Sequence, residues 1–529
     1  MIRSDLSEWA QTLDGAIDVL VIGGGATGLG VAVQAAAEGR RVALVEARDF
    51  ACGTSSRSTK LLHGGVRYLA QGRVRLVREA LRERAVVLGL APHLAQPLPF
   101  VVAEARWWSW TLTAIGLKLY QWLAGRLSLG ATEVLGNAAL GRLMPGLPGA
   151  VAGVRYWDGQ FEDARLALAL ARTAQQAGAL LRNHTRVVGL RPQGPGWAVT
   201  LQDHFTQARV TVQARCVVNA AGVWVDGVRR LLPASAAPAV GGGDPAAALV
   251  RPSQGVHLVV SRETLPLTEA VLVPRTADGR VLFAVPWLGA TVIGTTDTPR
   301  ADAPLEPRPT EDELQFLFRE TERALGVRLR PGDVRSVWAG LRPLVGAAPG
   351  ADGAPTSALS REHLIHREGP GFITVTGGKW TTYRAMAEEV LAALVGAGDL
   401  PAPARPADTR TLRLWGAPPA GSPPVSLRQA PGLHLLGASS SELAGLPGQD
   451  LALGLGLTEA LVRHCARHEW AVTVEDVLAR RWRALFLDAR AAEAMAPRVA
   501  ALLREETGLD PDLDGFVALC RHYRLEDAG

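Results

Sequence analysis

Residues 54–69, TSSRSTKLLHGGVRYL, crowd five serine and threonine hydroxyls, Lys60, two glycines and Arg67 into one segment without clean helical or strand periodicity. Just upstream, Gly23, Gly25 and Gly28 stand at GxGxxG spacing after a short apolar run, and Glu46 closes the next run. The first glycine of such a motif permits a tight turn, the second lets the backbone approach a pyrophosphate, and the third lets helix and strand pack closely. The helix that follows offers free N–H groups and the positive end of its dipole to phosphates. Glu46 is placed to accept hydrogen bonds from a ribose. A bound dinucleotide is the expectation, with an ordinary glycine-rich turn as the plainer reading. Other chemistries are poorly served. His464, Cys465 and His468 could share a helical face, but HExxH is absent and no fourth ligand is evident, so no metal is expected. No GxSxG occurs, so a hydrolase is not indicated.

Local pattern predicts the elements that must hold these residues. IDVLVI (17–22), the Ala-rich stretch to Glu38 and RVALVE (41–46) read as a βαβ unit. RCVVNAAGVW (215–224) and FITVTGGKWTTYR (372–384) repeat the passage from strand to small-residue turn far downstream, and such turns bring backbone N–H groups near a cofactor. Between about 230 and 370 the pattern is strand-rich with one helical span, 311–325. Residues 399–434 carry many prolines and read as a linker, and the remainder reads as helical. A nucleotide domain completed by distant segments, with a sheet-rich insertion between them, favours FAD over NAD.

Composition sets outer bounds. A chain of 529 residues with 48% hydrophobic and 20% charged residues can bury several cores. A net charge of +5 is small for this length, and no basic block stands out, so no nucleic acid is expected as partner. Only three of the 56 basic residues are lysines, Lys60, Lys118 and Lys379. Four scattered cysteines without CxxC and an N-terminus without signal-peptide features predict a cytoplasmic protein.

GGGATGLG, TSSRSTKLLHGGVRYL, WDGQFEDARLALALA, VVNAAGVWV, VPWLGATVIGTTDT, GLRPLV and TGGKWTTYR, in that order, resemble the FAD-dependent glycerol-3-phosphate dehydrogenases over about residues 15–395. HEW and LARRWRALFLD extend the resemblance more weakly. It implies an α/β fold: a Rossmann-like FAD-binding domain (1–230, completed by 360–395), a mixed-sheet substrate domain (231–359), and a linker with a helical C-terminal domain (396–529). It also implies oxidation of sn-glycerol 3-phosphate to dihydroxyacetone phosphate by hydride transfer to FAD, with electrons passed to a membrane quinone.

By the same resemblance FAD is held at Gly23, Gly24, Gly25, Thr27, Gly28 and Glu46. The second loop adds Thr54, Ser55, Ser56, Lys60, Leu62, His63, Gly64 and Gly65, and the distant turns add Ala220, Gly222, Gly378, Lys379 and Thr381. Arg67, Tyr68, Arg342 and Lys379 would meet the substrate phosphate, consistent with the strength of charge-assisted contacts to a near-dianion. Lys379 would also sit close enough to reach substrate or flavin. Oxidising an alcohol requires loss of a hydride and of the hydroxyl proton, so the protein must orient and deprotonate. His257 is the leading proton acceptor and substrate contact, ahead of His63, and Arg342 could stabilise the alkoxide.

Nineteen residues, 107–125, carry one charge and four tryptophans. Glycines, hydroxyls and Gln121 argue against a span, and flanking Arg106 and Arg126 suit an interfacial helix. A buried helix is the alternative; peripheral attachment to the inner face of the membrane is the expectation. A homodimer is one role open to the C-terminal domain. Alternatives are an oxidase using oxygen, an amino-acid or hydroxy-acid oxidase of the same fold, and a silent flavin-binding sensor.

Overall fold

In the computed structural model, residues 3–13, 15, 17–66, 69, 72–104, 107–143, 152–233, 247–346 and 363–525 are described. After a short helix at Leu6–Gln11 come β1 (Ile17–Ile22), α1 (Ala26–Ala37) and β2 (Val42–Val45). They are followed by α2 (Val74–Leu90), β3 (Ala95–Glu104), α3 (Trp107–Ala124), β4 (Ala152–Phe161), α4 (Asp163–Gln176) and β5 (Arg209–Asn219). β6 (Val250–Ser261), β7 (Ala290–Gly294), α5 (Glu311–Leu325) and β8 (Val334–Val345) lead to β9 (Phe372–Gly377) and α6 (Tyr383–Gly396). The C-terminal helices are α7 (Glu459–His468), α8 (Ala489–Thr507) and α9 (Leu513–His522).

β1 lies between β2 and β5, parallel to both, with Val19 opposite Val42 and Cys216. β9 adds to β5 in parallel, pairing Val218 with Ile373. Strands covered on both faces read as continuous apolar runs, which is why IDVLVI and RCVVN stood out. Helix α1 is built of small residues because it is pressed closely: a Cβ on Gly30 would lie 2.9 Å from the Tyr383 ring of α6.

A ten-stranded sheet forms the second layer, with β6 between β7 and β8 and, further along, β3 beside β4. β3 and β4 fall within 1–230 and pair antiparallel from Ala95–Phe161 to Glu104–Ala152 in this second sheet. Antiparallel pairing at such separation leaves no local mark in a sequence. The proline-rich stretch 399–434 is a packed strap. It lacks α-helix and strand, but Leu414 and Leu427 are buried, and Leu288 N donates to Leu427 O at 2.7 Å.

The C-terminal region shares a core with the second sheet: Trp287 and Trp338 pack with Trp482, Phe486 and Met495. His464 is hydrogen-bonded to Glu442 at 2.9 Å, and Glu469 is paired with Arg165 at 2.7 Å.

Candidate active site

A cavity of about 1860 Å³ runs between the two sheets. At one end the chain leaves β1 through Gly23, whose φ of +110° is a backbone state that favours glycine. A Cβ on Gly28 would lie 1.9 Å from Gly23 O, inside any allowed contact. Gly28→Ala is therefore expected to open the turn, lower the melting temperature by several degrees and remove dinucleotide binding. A purified variant that kept both would show that the turn tolerates the methyl group.

Glu46, at the end of β2, accepts from Gly24 N at 2.7 Å and Arg48 N at 2.9 Å and lines the cavity. Burial raises its pKa, against the pull of those two N–H groups. Gly25, Thr27, Thr54, Ser55, His63, Gly65, Ala220, Gly222, Gly378, Lys379 and Thr381 line the same cavity. Ser55 Oγ accepts from Ala26 N at 2.9 Å, at the first turn of α1. Thr54 Oγ1 donates to Leu341 O at 2.6 Å, tying the loop to the strand that carries Arg342.

Several expected cofactor residues stand behind the wall. Gly24, Gly28, Ser56, Lys60, Leu62 and Gly64 do not line the cavity. Lys60 is the most closely partnered of these. Its side chain is fully buried, with Nζ 2.7 Å from Asp163 Oδ2 and 2.8 Å from Ser56 O. Nζ also lies 4.8–5.6 Å from the ring centres of Trp287, Trp338 and Phe486. Desolvation dominates there and lowers the ammonium pKa to about 7, opposed by Asp163. Arg67 and Tyr68 lie outside the described residues.

At the other end, His257 on β6 stacks on Trp338 at 4.1 Å between ring centres and is 2% exposed. Its Nε2 is 3.0 Å from Thr59 Oγ1 on the cavity wall, a contact the sequence did not announce. Gly294 makes room for the ring, since a Cβ there would fall 2.3 Å from His257 Cδ2. Burial, then the charges of Lys60 and Arg342, push the imidazole pKa well below its ordinary value. The ring is thereby held in its neutral form beside two cationic side chains.

Arg342 on β8 is aimed by Thr295 Oγ1 at 2.8 Å, Thr296 O at 3.0 Å and Gln254 O at 3.4 Å, with Asp297 3.4 Å away. Thr296 and Thr298 are fixed by Glu313 of α5 at 2.8 and 2.7 Å. β8 packs against β9, which delivers Lys379 to the same cavity. The turn before Lys379 has φ of +79° at Gly377 and +73° at Gly378. Just beyond it, Trp380 Nε1 donates to Ser55 O at 2.9 Å and locks the turn to the serine-rich loop. The indole N–H and the spacing GGKW were the available signal for that lock.

The site thus joins a glycine turn with the Glu46 carboxylate at one end to Arg342, Lys379 and a neutral imidazole at the other. The sequence profile of the FAD dependent oxidoreductases matches residues 18–384, and that of the C-terminal domain of alpha-glycerophosphate oxidase matches 437–513. The mitochondrial glycerol-3-phosphate dehydrogenase SDP6 of Arabidopsis thaliana is 37% identical over 544 residues, covering 94% of this chain and 84% of that protein. The human mitochondrial glycerol-3-phosphate dehydrogenase is 38% identical, covering 93% and 71%. Among solved structures, the glycerol-3-phosphate dehydrogenase of Bacillus halodurans complexed with FAD superposes with a TM-score of 0.75 at 26% identity, over 99% of this chain and 98% of that one.

Proposed function

The chain belongs to the FAD-dependent glycerol-3-phosphate dehydrogenases, and from that premise we propose which of its residues carry the reaction and where its electrons go. Its cofactor is FAD. The cavity fits that group: it exceeds the roughly 300–1,000 Å³ of ordinary ligand pockets, and its glycine turn admits no Cβ at position 28. Glu46, Gly25, Thr27 and the turns at Ala220–Gly222 and Gly377–Thr381 would hold the dinucleotide. FAD, once bound, supplies the acceptor for the hydride that leaves C2 of the substrate.

The protein's own work is to bind, orient and deprotonate. Arg342 and Lys379 hold the phosphate of sn-glycerol 3-phosphate, and Arg342 also faces the oxygen on which charge develops. His257, kept neutral, receives the hydroxyl proton at Nε2, the ring nitrogen that meets Thr59 on the cavity wall. The juxtaposition of Arg342, Lys379 and His257 on one cavity carries this reading. An amino-acid substrate, with one carboxylate, has less use for two cations. Turnover with glycerol 3-phosphate but not with glycerol or amino acids tests it; equal rates with glycerol would remove the phosphate site.

The acceptor we infer is a membrane quinone, reached from a lipid surface. Helix α3 exposes Leu112, Ile115, Leu119 and Trp122 at 64%, 61%, 44% and 71%, one stripe on one face. The adjoining helix α2 bears exposed Arg75, Arg78 and Arg82, the complement of anionic headgroups. Thr113, Gly116 and Leu119 of α3 also line the cavity, and Leu119 belongs to the stripe as well, which supports an acceptor arriving from that side. No helix among the described residues is long and apolar enough to cross a membrane. Burying a large apolar side chain yields about 1.5–3 kcal/mol, so Ile115→Asp with Trp122→Asp is expected to lower binding to anionic vesicles by roughly tenfold or more. Co-sedimentation measures this, and unchanged binding would detach α3 from the membrane. Anaerobic reduction of a soluble quinone analogue, set against peroxide formed in air, separates quinone from oxygen.

A further inference from the structure

The run Arg480-Arg481-Trp482-Arg483 lies far along the chain from the cofactor loops, and its three guanidiniums are 4%, 0% and 0% exposed. Where they point is informative. Arg481 Nη2 donates to Asp49 Oδ1 at 2.8 Å, and Arg481 Nη1 and Arg480 Nε both donate to Asp49 Oδ2. Asp49 also accepts from Asn183 Nδ2 at 3.0 Å. It stands three residues after Glu46, in the loop that leaves β2 along the cavity.

The neighbouring loop is secured by the same run. Thr185 N donates to Glu46 O at 2.8 Å, and His184 Nε2 pairs with Asp476 at 2.9 Å. Asp476 in turn holds Arg480 Nη2 at 2.7 Å. Thr185 and Arg186 line the cavity beside Glu46. The six residues Asp476–Arg481 form a π-helical turn, a widened form often found at functional sites. Here it allows two consecutive arginines to reach one carboxylate.

Arg483 secures the third loop. Its Nη2 donates to Ser56 O at 2.6 Å, an acceptor shared with Lys60 Nζ at 2.8 Å, while its Nε lies 3.0 Å from Glu162. Thr54, Ser55, Arg57, Ser58 and Thr59 around that carbonyl line the cavity. One four-residue run therefore grips, from behind, the ribose-acceptor loop and the serine-rich loop, without lining the cavity itself. A buried ion pair adds little to stability once its desolvation is counted, and its better-attested use is to fix geometry.

We propose that Arg480, Arg481 and Arg483 are positioning residues for the cofactor site, so that the C-terminal helical region sets how tightly FAD is held. The inference rests on the FAD assignment and not on the substrate. Its test reads flavin retention, which needs no turnover. Holoenzyme carrying Asp49→Asn, Arg481→Gln, Arg481→Lys, or Asp49→Asn with Arg481→Gln is diluted and ultrafiltered, and FAD in the filtrate is measured. Both single neutral variants should release FAD roughly tenfold more readily, a fraction of the cost of breaking a buried charge pair, because the pair reaches the cofactor only through its loop. The visible flavin band should shift, KM for glycerol 3-phosphate in the retained holoenzyme should stay within about twofold of the parent, and Arg481→Lys should recover part of the loss. The double variant should release FAD no faster than the worse single one, because both changes cut one contact. Retention and band unchanged in variants whose melting temperature falls would overturn the proposal and leave a purely structural clamp. Arg483→Lys keeps the charge and loses the guanidinium hydrogen bond to Ser56 O and the close approach to Glu162. It gives the same reading if the neutral variants do not fold: faster FAD release supports the proposal, and parental release overturns it.

Discussion

Replacing Arg342 by Ala is expected to lower kcat/KM for glycerol 3-phosphate by roughly 10²–10³, while FAD stays bound. Losing one partner of a desolvated, hydrogen-bonded charge pair removes about 2–5 kcal/mol, and each 1.36 kcal/mol is a tenfold change in rate. The guanidinium is held ready by Thr295, Thr296 O and Gln254 O before any substrate arrives, so little ordering is left for binding to supply. Arg342→Lys should recover only part of the loss, since an ammonium cannot reproduce that fork. Glycerol, which lacks the phosphate, should react poorly with the parent and lose less in the variant than glycerol 3-phosphate does, because only the contact to the developing alkoxide is removed for it. If the variant instead lost its flavin, Arg342 would belong to the cofactor wall and its assigned role would fail.

Removing the imidazole in His257→Ala is expected to lower kcat by roughly 10²–10⁴, the usual contribution of a positioned general base. The pH profile is more diagnostic than the size. A group whose folded pKa lies below its ordinary value keeps its neutral form as pH falls, and protonates only below that value. The acid limb of kcat/KM assigned to His257 should therefore be absent near pH 6.5, where an ordinary imidazole titrates, and appear only at lower pH. The sign follows from the surroundings: burial first, then Lys60 and Arg342, all disfavour the imidazolium. Lys60→Met removes one of those charges and should move the limb upward. A limb at the ordinary position in the parent, unmoved by Lys60→Met, would exclude His257 as the base.

Sequence and structure agree most closely where geometry is local. Gly23, Gly25 and Gly28 could be read because a turn between parallel strands dictates glycine within a few residues, and Glu46 follows from the strand that succeeds it. The passages VVNAAG and TGGKW were legible for the same reason. What could not be read is long-range pairing. Nothing in AQPLPFVVAE shows that it leaves the nucleotide layer to join β4, because antiparallel partners are chosen by the whole sheet. Proline-rich 399–434 reads as free linker because prolines remove N–H donors, yet Leu414 and Leu427 pin it to two cores.

The scarcity of lysine flagged Lys60 and Lys379 equally, although the two serve different ends. Lys379 lines the cavity, while Lys60 is a compact ammonium enclosed by Asp163 and three aromatic rings. Side-chain direction, which spacing alone does not fix in an irregular loop, separates them. The grip of Arg480, Arg481 and Arg483 was invisible for a related reason, since an arginine run reads the same whether it meets solvent or a buried carboxylate.

The central claim is that one cavity holds FAD and the phosphate of glycerol 3-phosphate together. Its most direct test is an anaerobic visible spectrum of the purified protein, taken before and after addition of glycerol 3-phosphate, with glycerol and a D-amino acid as controls. The account predicts a flavin band that glycerol 3-phosphate alone bleaches. A band that persists with glycerol 3-phosphate, or that bleaches as readily with glycerol, would contradict it.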